Sequence, residues 1–423
     1  MLLHITEENC SGDINQKTGS HSRPDRKSGL LRIFAFMRAG QAFATMTTLL
    51  VYLSLFLIPA HPVRAEDTIK ILMHESANDP LPSEQAQSLE SLNGKVFFHG
   101  KSYTGSLEVI GDENGLYVVS NLPFEKYIAG VVASEVGKDW EIEALKAQAV
   151  ISRTYAIFNK NFNTEKSFDL TSSVLHQVYK GDNADQLITE AVRATGKEIL
   201  TFEGKPINAL YHATCEGKTE LPEEVWVESY PYIKSVDCNG VNAPYENWEK
   251  EFSFDQIGEA IGVEGVKDIS IEAYTSTGRV KLLRIITDEP DPALSSGSKE
   301  AGLENVSPGQ GSNKESSEQV IDIKATELRK RLGYKELPST DFSLTVTGDE
   351  VFFDGRGWGH GVGLSQWGAL SMARQGKTYR EILAHYYPGT TIMSSDELHL
   401  SDFNKNQAIR RVEWNNDISL KSN

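Results

Sequence analysis

An α+β fold is predicted for this 423-residue chain from three observations. Short runs of β-branched and aromatic residues crowd the stretch between Thr68 and Ser120. Helical patterns follow over 124–134 and over 139–159, the second rich in Ala, Leu, Glu and Lys. Strand-like runs then resume near residue 198, without the regular strand–helix alternation of a doubly wound sheet and without its glycine-rich phosphate-binding signature. These observations predict β-rich segments flanking a central helical region, then a Gly/Trp-rich loop and two C-terminal helices.

Residues 1–65 read as a leader. Thr47–Ile58 (TTLLVYLSLFLI) is apolar but short for a membrane span, Arg38 precedes it, and Val63-Arg64-Ala65 is a small-x-small cleavage pattern. We read 37–65 as a secretory signal, which predicts export to the periplasm or cell wall; a retained anchor is the alternative. The leader holds seven Lys/Arg and four Asp/Glu, so its removal takes the net charge from −17 to −20. Such an acidic protein is a poor nucleic-acid binder, and membrane contact is expected only through the signal segment. With 39% hydrophobic residues, the remainder is long enough for a sizeable core.

The N-terminal part, 66–120, is expected to carry strands at TIKIL, KVFFHG, YTGSLEVI and GLYVVS, parted by Asn93-Gly94, Gly105 and Asn114-Gly115. Residues 121–398 form the second part. Pro123 opens a helix as its first residue, Asp139 caps a second that runs to about Asn159, and 183–196 form a third. Strands are expected over 198–213 and 279–288. The Ser/Gly/Glu/Pro-rich stretch 290–318 reads as a disordered insertion. Beyond it come a strand at 320–323, a helix at 325–332, strands at 342–346 and 350–353, and helices at 365–375 and 378–387, the last with a Thr378…Glu381 capping box. Residues 399–423 read as a polar tail.

Gly355–Ala369 (GRGWGHGVGLSQWGA) has six glycines in fifteen residues, interleaved with Arg356, Trp358, His360, Gln366 and Trp367. Indoles, a guanidinium, an imidazole and an amide on a permissive backbone predict a surface that grips sugars, with Asp354 beside it. A tight turn with two core tryptophans is the plainer alternative.

Glu135 follows Tyr127, Ile128, Val131 and Val132 at helical spacing, so its carboxylate falls on the apolar stripe in the last turn. Desolvation and the helix dipole both disfavour the anion there, as a general acid requires. A Glu that bends out to water is the alternative. On the next helix Lys146 and Arg153 share one face, with Gln148 and Tyr155 as further polar candidates for substrate binding; pairing of the cations with nearby Glu141 or Glu143 is the plainer reading. His212, Cys215 and Cys238 offer ligands for a structural Zn²⁺. After export the two cysteines more often pair, and a Cys215–Cys238 disulfide is the preferred reading.

The segments ASEVGKDWEIEALKAQAVISRTYA (133–156), YHATCEGKTE (211–220) and DGRGWGHGVGLSQWGALSMARQGKTYREILAHYYPGT (354–390) resemble the SpoIID/LytB family of sporulation lytic transglycosylases and amidase enhancers. The resemblance covers about 95–390. It implies cleavage of the MurNAc–GlcNAc β-1,4 bond of peptidoglycan to a 1,6-anhydroMurNAc end, with preference for glycan stripped of stem peptides. It implies Glu135 as the acid, supported by Lys146 and Arg153, with no cofactor required. Some relatives carry a zinc site at the middle motif; here Lys218 stands where a histidine often occurs. The groove is expected between the Glu135 helix pair and the 355–369 loop. Two other functions compete: a non-catalytic wall-binding module that stimulates a partner amidase, and a zinc amidase built on His212, Cys215 and Cys238.

Overall fold

Along β1 (Thr68–Ser76) Ile69 and Ile71 are buried, as the two-residue period of a strand dictates. The computed structural model describes residues 67–398, apart from 77–86, 90–94, 99–100, 113–114, 138, 161–166, 173–176, 227, 240–242, 244–245 and 289–317. The expected leader, polar tail and nearly all of the expected insertion therefore lie outside the described residues. Helices and several sheets coexist, and the fold is α+β.

After β2 (Gln87–Leu89), the hairpin of β3 (Lys95–Phe98) and β4 (Lys101–Thr104), and β5 (Ser106–Asp112), the chain forms β6 (Gly115–Pro123) and enters α1 (Phe124–Glu135) directly. A second helix, α2 (Ile142–Lys160), precedes β7 (Leu170–Thr171) and α3 (Gln186–Ala194). One sheet has the order β2-β5-β6-β1-β7, with β1 antiparallel to β6 and parallel to β7. Ile69, Ile71 and Leu122 of this sheet share a core with Tyr127, Ile128, Val131 and Val132 of α1, Leu145 of α2 and Ile188 of α3. The N-terminal strands and the helices are thus built on the same apolar cluster.

Two local expectations shift. Pro123 ends β6 and occupies the N-cap of α1, with extended backbone, instead of the first helical position. Asp139 does not cap α2: the helical ladder starts from the Glu141 carbonyl, which accepts the Ala144 and Leu145 amides at 2.9 and 3.1 Å. Burial of the Trp140 indole, edge-on to Trp367 at 5.4 Å, holds the connecting segment out of the helix. Asp185 caps α3 through the Ile188 amide, as its residue type favours.

The opposite side of α2 meets a second core. Ala147, Val150 and Ile151 pack with Leu200 of β8 (Glu198–Phe202), which with β9 (Lys205–Pro206) starts a three-stranded sheet. There follow β10 (Tyr211–His212), β11 (Glu216–Lys218), the single turn α4 (Pro222–Val225) and β12 (Asp237–Asn239). A third core lies in a region whose first elements the sequence reading left unassigned: β13 (Asn247–Ser253), α5 (Phe254–Ile261) and β14 (Val266–Tyr274), followed by β15 (Val280–Thr287), β16 (Gln319–Lys324) and α6 (Ala325–Leu332). Strands β17 (Phe342–Thr347) and β18 (Glu350–Arg356) complete a sheet of order β13-β18-β17 and lead into the glycine-rich loop. The chain then forms β19 (Leu364–Ser365), α7 (Gln366–Arg374), α8 (Tyr379–Tyr386) and β20 (Thr391–Ser394), which pairs with β8. Ser365 caps α7, and the Thr378–Glu381 capping box on α8 is present.

Candidate active site

Glu135 is the last residue of α1. The residue is half-buried, and its carboxyl is the enclosed part. Two donors reach one oxygen: the Val178 amide at 2.8 Å and the Tyr211 hydroxyl at 3.3 Å, both to Oε1. The Gln366 side chain also hydrogen-bonds the carboxyl. Burial pushes Glu135 above the ordinary carboxylate range; the Val178, Gln366 and Tyr211 hydrogen bonds and the charge of Lys180 pull the other way and do not cancel it.

Packing at a single glycine brings Val178 into place. A Cβ on Gly130 would lie 2.4 Å from the Tyr179 ring and 2.8 Å from the Gly181 carbonyl, so segment 177–181 closes on α1 only because that position is glycine. Ser134 fastens the same segment by accepting the Lys180 amide at 3.2 Å.

A polar chain runs behind the carboxyl. Tyr127 donates to Gln177 Oε1 at 3.1 Å, and Gln177 Nε2 donates to the Ser152 carbonyl at 3.2 Å. Gln177 also hydrogen-bonds Tyr211. Gln366 donates to Gln148 at 3.4 Å, and Gln148 to Ser152 Oγ at 3.1 Å. Burial, then the nearby Glu135 charge, pushes Tyr211 well above the ordinary tyrosine range, so its hydroxyl remains a donor. Tyr211 also meets Tyr155 edge-on at 6.4 Å. The arrangement orients a carboxyl whose proton affinity burial raises, the direction that transfer of a proton to a substrate oxygen requires.

The structure distributes the remaining sequence candidates unevenly. Gln148 and Gln366 belong to this network. Arg153, expected on a groove wall, is instead wholly buried: Nε and Nη2 make paired 2.8 Å bonds to Glu125, and Nη1 donates to the Glu198 carbonyl at 3.0 Å. The face of α2 that carries Arg153, Ala149 and Ala156 packs inward, so this guanidinium ties α2 to α1 and β8. Lys146 follows the plainer reading, bonding Glu143 at 2.6 Å and lying over the Tyr379 ring of α8. Asp354 and Arg356 are exposed on β18, where Arg356 pairs with Asp341 at 3.0 Å. Trp367 packs on Trp140, in keeping with a core tryptophan.

Trp358 is half-buried and exchanges backbone bonds with Thr214 at 3.0 and 3.1 Å. The His360 ring is 5.0 Å from Trp226 and 5.7 Å from His212. The sequence reading missed Tyr127, Gln177, Val178, Tyr211 and Trp226. Tyr211 stands beside His212 in a motif already singled out, whereas Gln177 and Val178 lie in a connection with no periodic signal.

Cys215 and Cys238 are joined in a disulfide with Cα atoms 6.0 Å apart, linking the residue before β11 to β12. Their sulfurs and His212 lie within 4.8 Å of one another, all three residues buried. His212 Nδ1 faces the Val362 carbonyl at 3.1 Å and therefore carries the proton; Nε2 has no partner among the described residues. Nε2 thus keeps an unused lone pair, but bonded sulfurs are not the thiolates that zinc takes, so the joined set does not fit that metal.

Comparisons with known proteins place the chain in a family. The family model described as stage II sporulation protein, SpoIID, matches residues 112–202, which span α1, α2 and β8. The chain is 32% identical to the stage II sporulation protein D of Bacillus amyloliquefaciens over 66% of its own length and 76% of that protein. It belongs to the SpoIID/LytB family. Similarity also extends to an uncharacterised protein of Brachyspira hyodysenteriae, 30% identical over 71% of this chain and 75% of that one. The amidase enhancer of Bacillus subtilis is 30% identical over 63% of this chain and 40% of its own length.

Proposed function

We propose that this SpoIID/LytB protein acts at the cell wall as an exported lytic transglycosylase, with Glu135 as its single general acid and base. The observation that carries this reading is the Glu135 carboxyl, held on Oε1 by Val178 and Tyr211 and pushed upward by burial. Protonated Glu135 gives its proton to the glycosidic oxygen between MurNAc and GlcNAc, and the C1–O bond breaks through an oxocarbenium-like state. The muramyl C6 hydroxyl attacks C1, closes the 1,6-anhydro ring and returns its proton to the carboxylate. An ordinary glycosidase needs a second carboxylate; here the attacking hydroxyl belongs to the substrate, and its effective molarity replaces that group. No cofactor enters this scheme. The Cys215–Cys238 disulfide supports residence in an oxidising compartment such as the periplasm or wall.

The test is mass spectrometry of sacculi digested by residues 66–423. Wild type is expected to release anhydro-muropeptides or anhydro-disaccharides, and Glu135→Gln to release none while keeping its fold. A second reading, a glycan-binding enhancer of a cell-wall amidase, is favoured by the relative of that name and by the fact that Lys146 and Arg153 are engaged within the protein. Sacculus binding without product, unchanged in Glu135→Gln, with stimulation of an added amidase, decides for it. A zinc amidase has least support, because its three ligands are buried and two are joined.

A further inference from the structure

We infer that His360 is a positioning residue that acts on Glu135 through Tyr211, so that the glycine-rich loop braces the strand whose tyrosine holds the acid. The inference rests on the reading of Glu135 as the acid.

The tautomer of His360 is fixed. Its Nδ1 accepts the Val362 amide at 3.0 Å, which leaves the proton on Nε2. The ring hydrogen-bonds the Tyr211 backbone carbonyl, and with Nδ1 occupied as an acceptor the donor is Nε2–H. The hydroxyl of that same Tyr211 donates to Glu135 Oε1 at 3.3 Å. A continuous path of hydrogen bonds and one covalent residue thus runs from the loop to the acid.

The loop lies against β10 at backbone distance. Gly359 has φ +112°, and a Cβ there would stand 2.8 Å from the His212 Cβ. Trp358 bridges to Thr214, and the Leu364 amide reaches the Leu210 carbonyl at 3.1 Å. Strand β10 is therefore fastened to the loop on both sides of Tyr211. Within this clamp His360 is the side chain that reaches Tyr211 itself, and Trp226 and His212 confine its ring.

His360 is also unsuited to proton transfer. Burial, followed by the charge of Arg329, holds it down to about 3, although the Tyr211 bond opposes this; Arg279 adds to the lowering. A ring that stays neutral, with both nitrogens engaged, fixes geometry and does not exchange protons with substrate.

The experiment reads the Glu135 carboxyl directly, by infrared difference titration of each variant against the same variant carrying Glu135→Gln. Loss of the Tyr211 donor weakens the carboxylate form, so Tyr211→Phe is expected to move the Glu135 midpoint upward. His360→Asn keeps an acceptor near Val362 but loses the reach of Nε2–H, and the same upward shift is expected. His360→Gln extends its amide to the Nε2 position and is expected to stay near wild type. The double variant Tyr211→Phe/His360→Asn should shift no further than Tyr211→Phe alone. In a glycan-cleavage assay His360→Asn should lose up to about 100-fold in kcat. An unmoved Glu135 midpoint in folded His360→Asn, or shifts that add in the double variant, overturns the inference. Cleavage that survives Glu135→Gln overturns the proposed function instead, and leaves the infrared result standing as a statement about geometry.

Discussion

Helix α1 carries a carboxylate at each end, and the two have opposite surroundings. Glu125 is in the first turn, where the helix dipole favours an anion, and makes paired bonds to the fully buried Arg153. Glu135 ends the helix, where the dipole disfavours an anion. Its hydrogen-bond donors are a backbone amide, a tyrosine and a glutamine, all uncharged. The same side chain on the same helix is therefore a fastener to a buried guanidinium at one end and, in the function proposed above, the proton donor at the other. Helix polarity and the charge of the partner assign the two roles.

The comparison is sharpest where it predicts opposite outcomes. The largest effect is expected on activity: Glu135→Gln should lower glycan cleavage by about 10²–10⁴-fold, the usual contribution of general acid catalysis, whereas Glu125→Gln should leave the rate per folded molecule close to wild type. Next comes stability. Glu125→Gln leaves a buried guanidinium without its counter-charge and should cost about 3 kcal/mol in urea unfolding, at the low end for a broken buried pair because Glu125 is partly exposed. Glu135→Gln should instead stabilise the protein at neutral pH. The native state holds the Glu135 proton more tightly than the unfolded chain, so wild-type stability falls as pH rises through that raised range, and the variant escapes the fall. If both variants change stability in the same direction, the assignment of opposite roles fails.

On the acid side the sign reverses. Burial holds both His212 and His360 below the ordinary histidine range, His360 to about 3, so the unfolded chain takes up protons that the native state refuses. Stability should decline as pH falls from about 6.5 toward 3, and His360→Gln should flatten that decline in unfolding measured at several pH values. The smallest effect is assigned to Lys146→Ala: its pair with Glu143 is partly exposed, so the change in unfolding free energy should stay within about 0.5 kcal/mol.

Much of this was legible beforehand. The placement of Glu135 followed from the 3.6-residue period, the capping box of α8 from residue type, and the pairing of the cysteines from the expectation of export. The stretch from Asn247 to Tyr274 was missed although its signals are ordinary: Trp248 and Phe252 alternate with polar residues, and Ser253 with Gln256 makes a capping box before Gly262. Arg153 was misplaced for a different reason. Helical spacing shows that it shares a face with Ala149 and Ala156 but not whether that face meets solvent or another helix.

Residue type and periodicity, which are local, determined that one glutamate would end an apolar helical stripe and that a glycine-rich loop would carry two tryptophans and a histidine. Only the folded chain decided which distant groups meet that glutamate: Val178 is 43 residues away, Tyr211 is 76, and Gln366 lies in the final helical pair. Hydrogen bonds act over about 3 Å, and no local pattern encodes which backbone amide or phenol the packing of Gly130 and β10 will bring within that range.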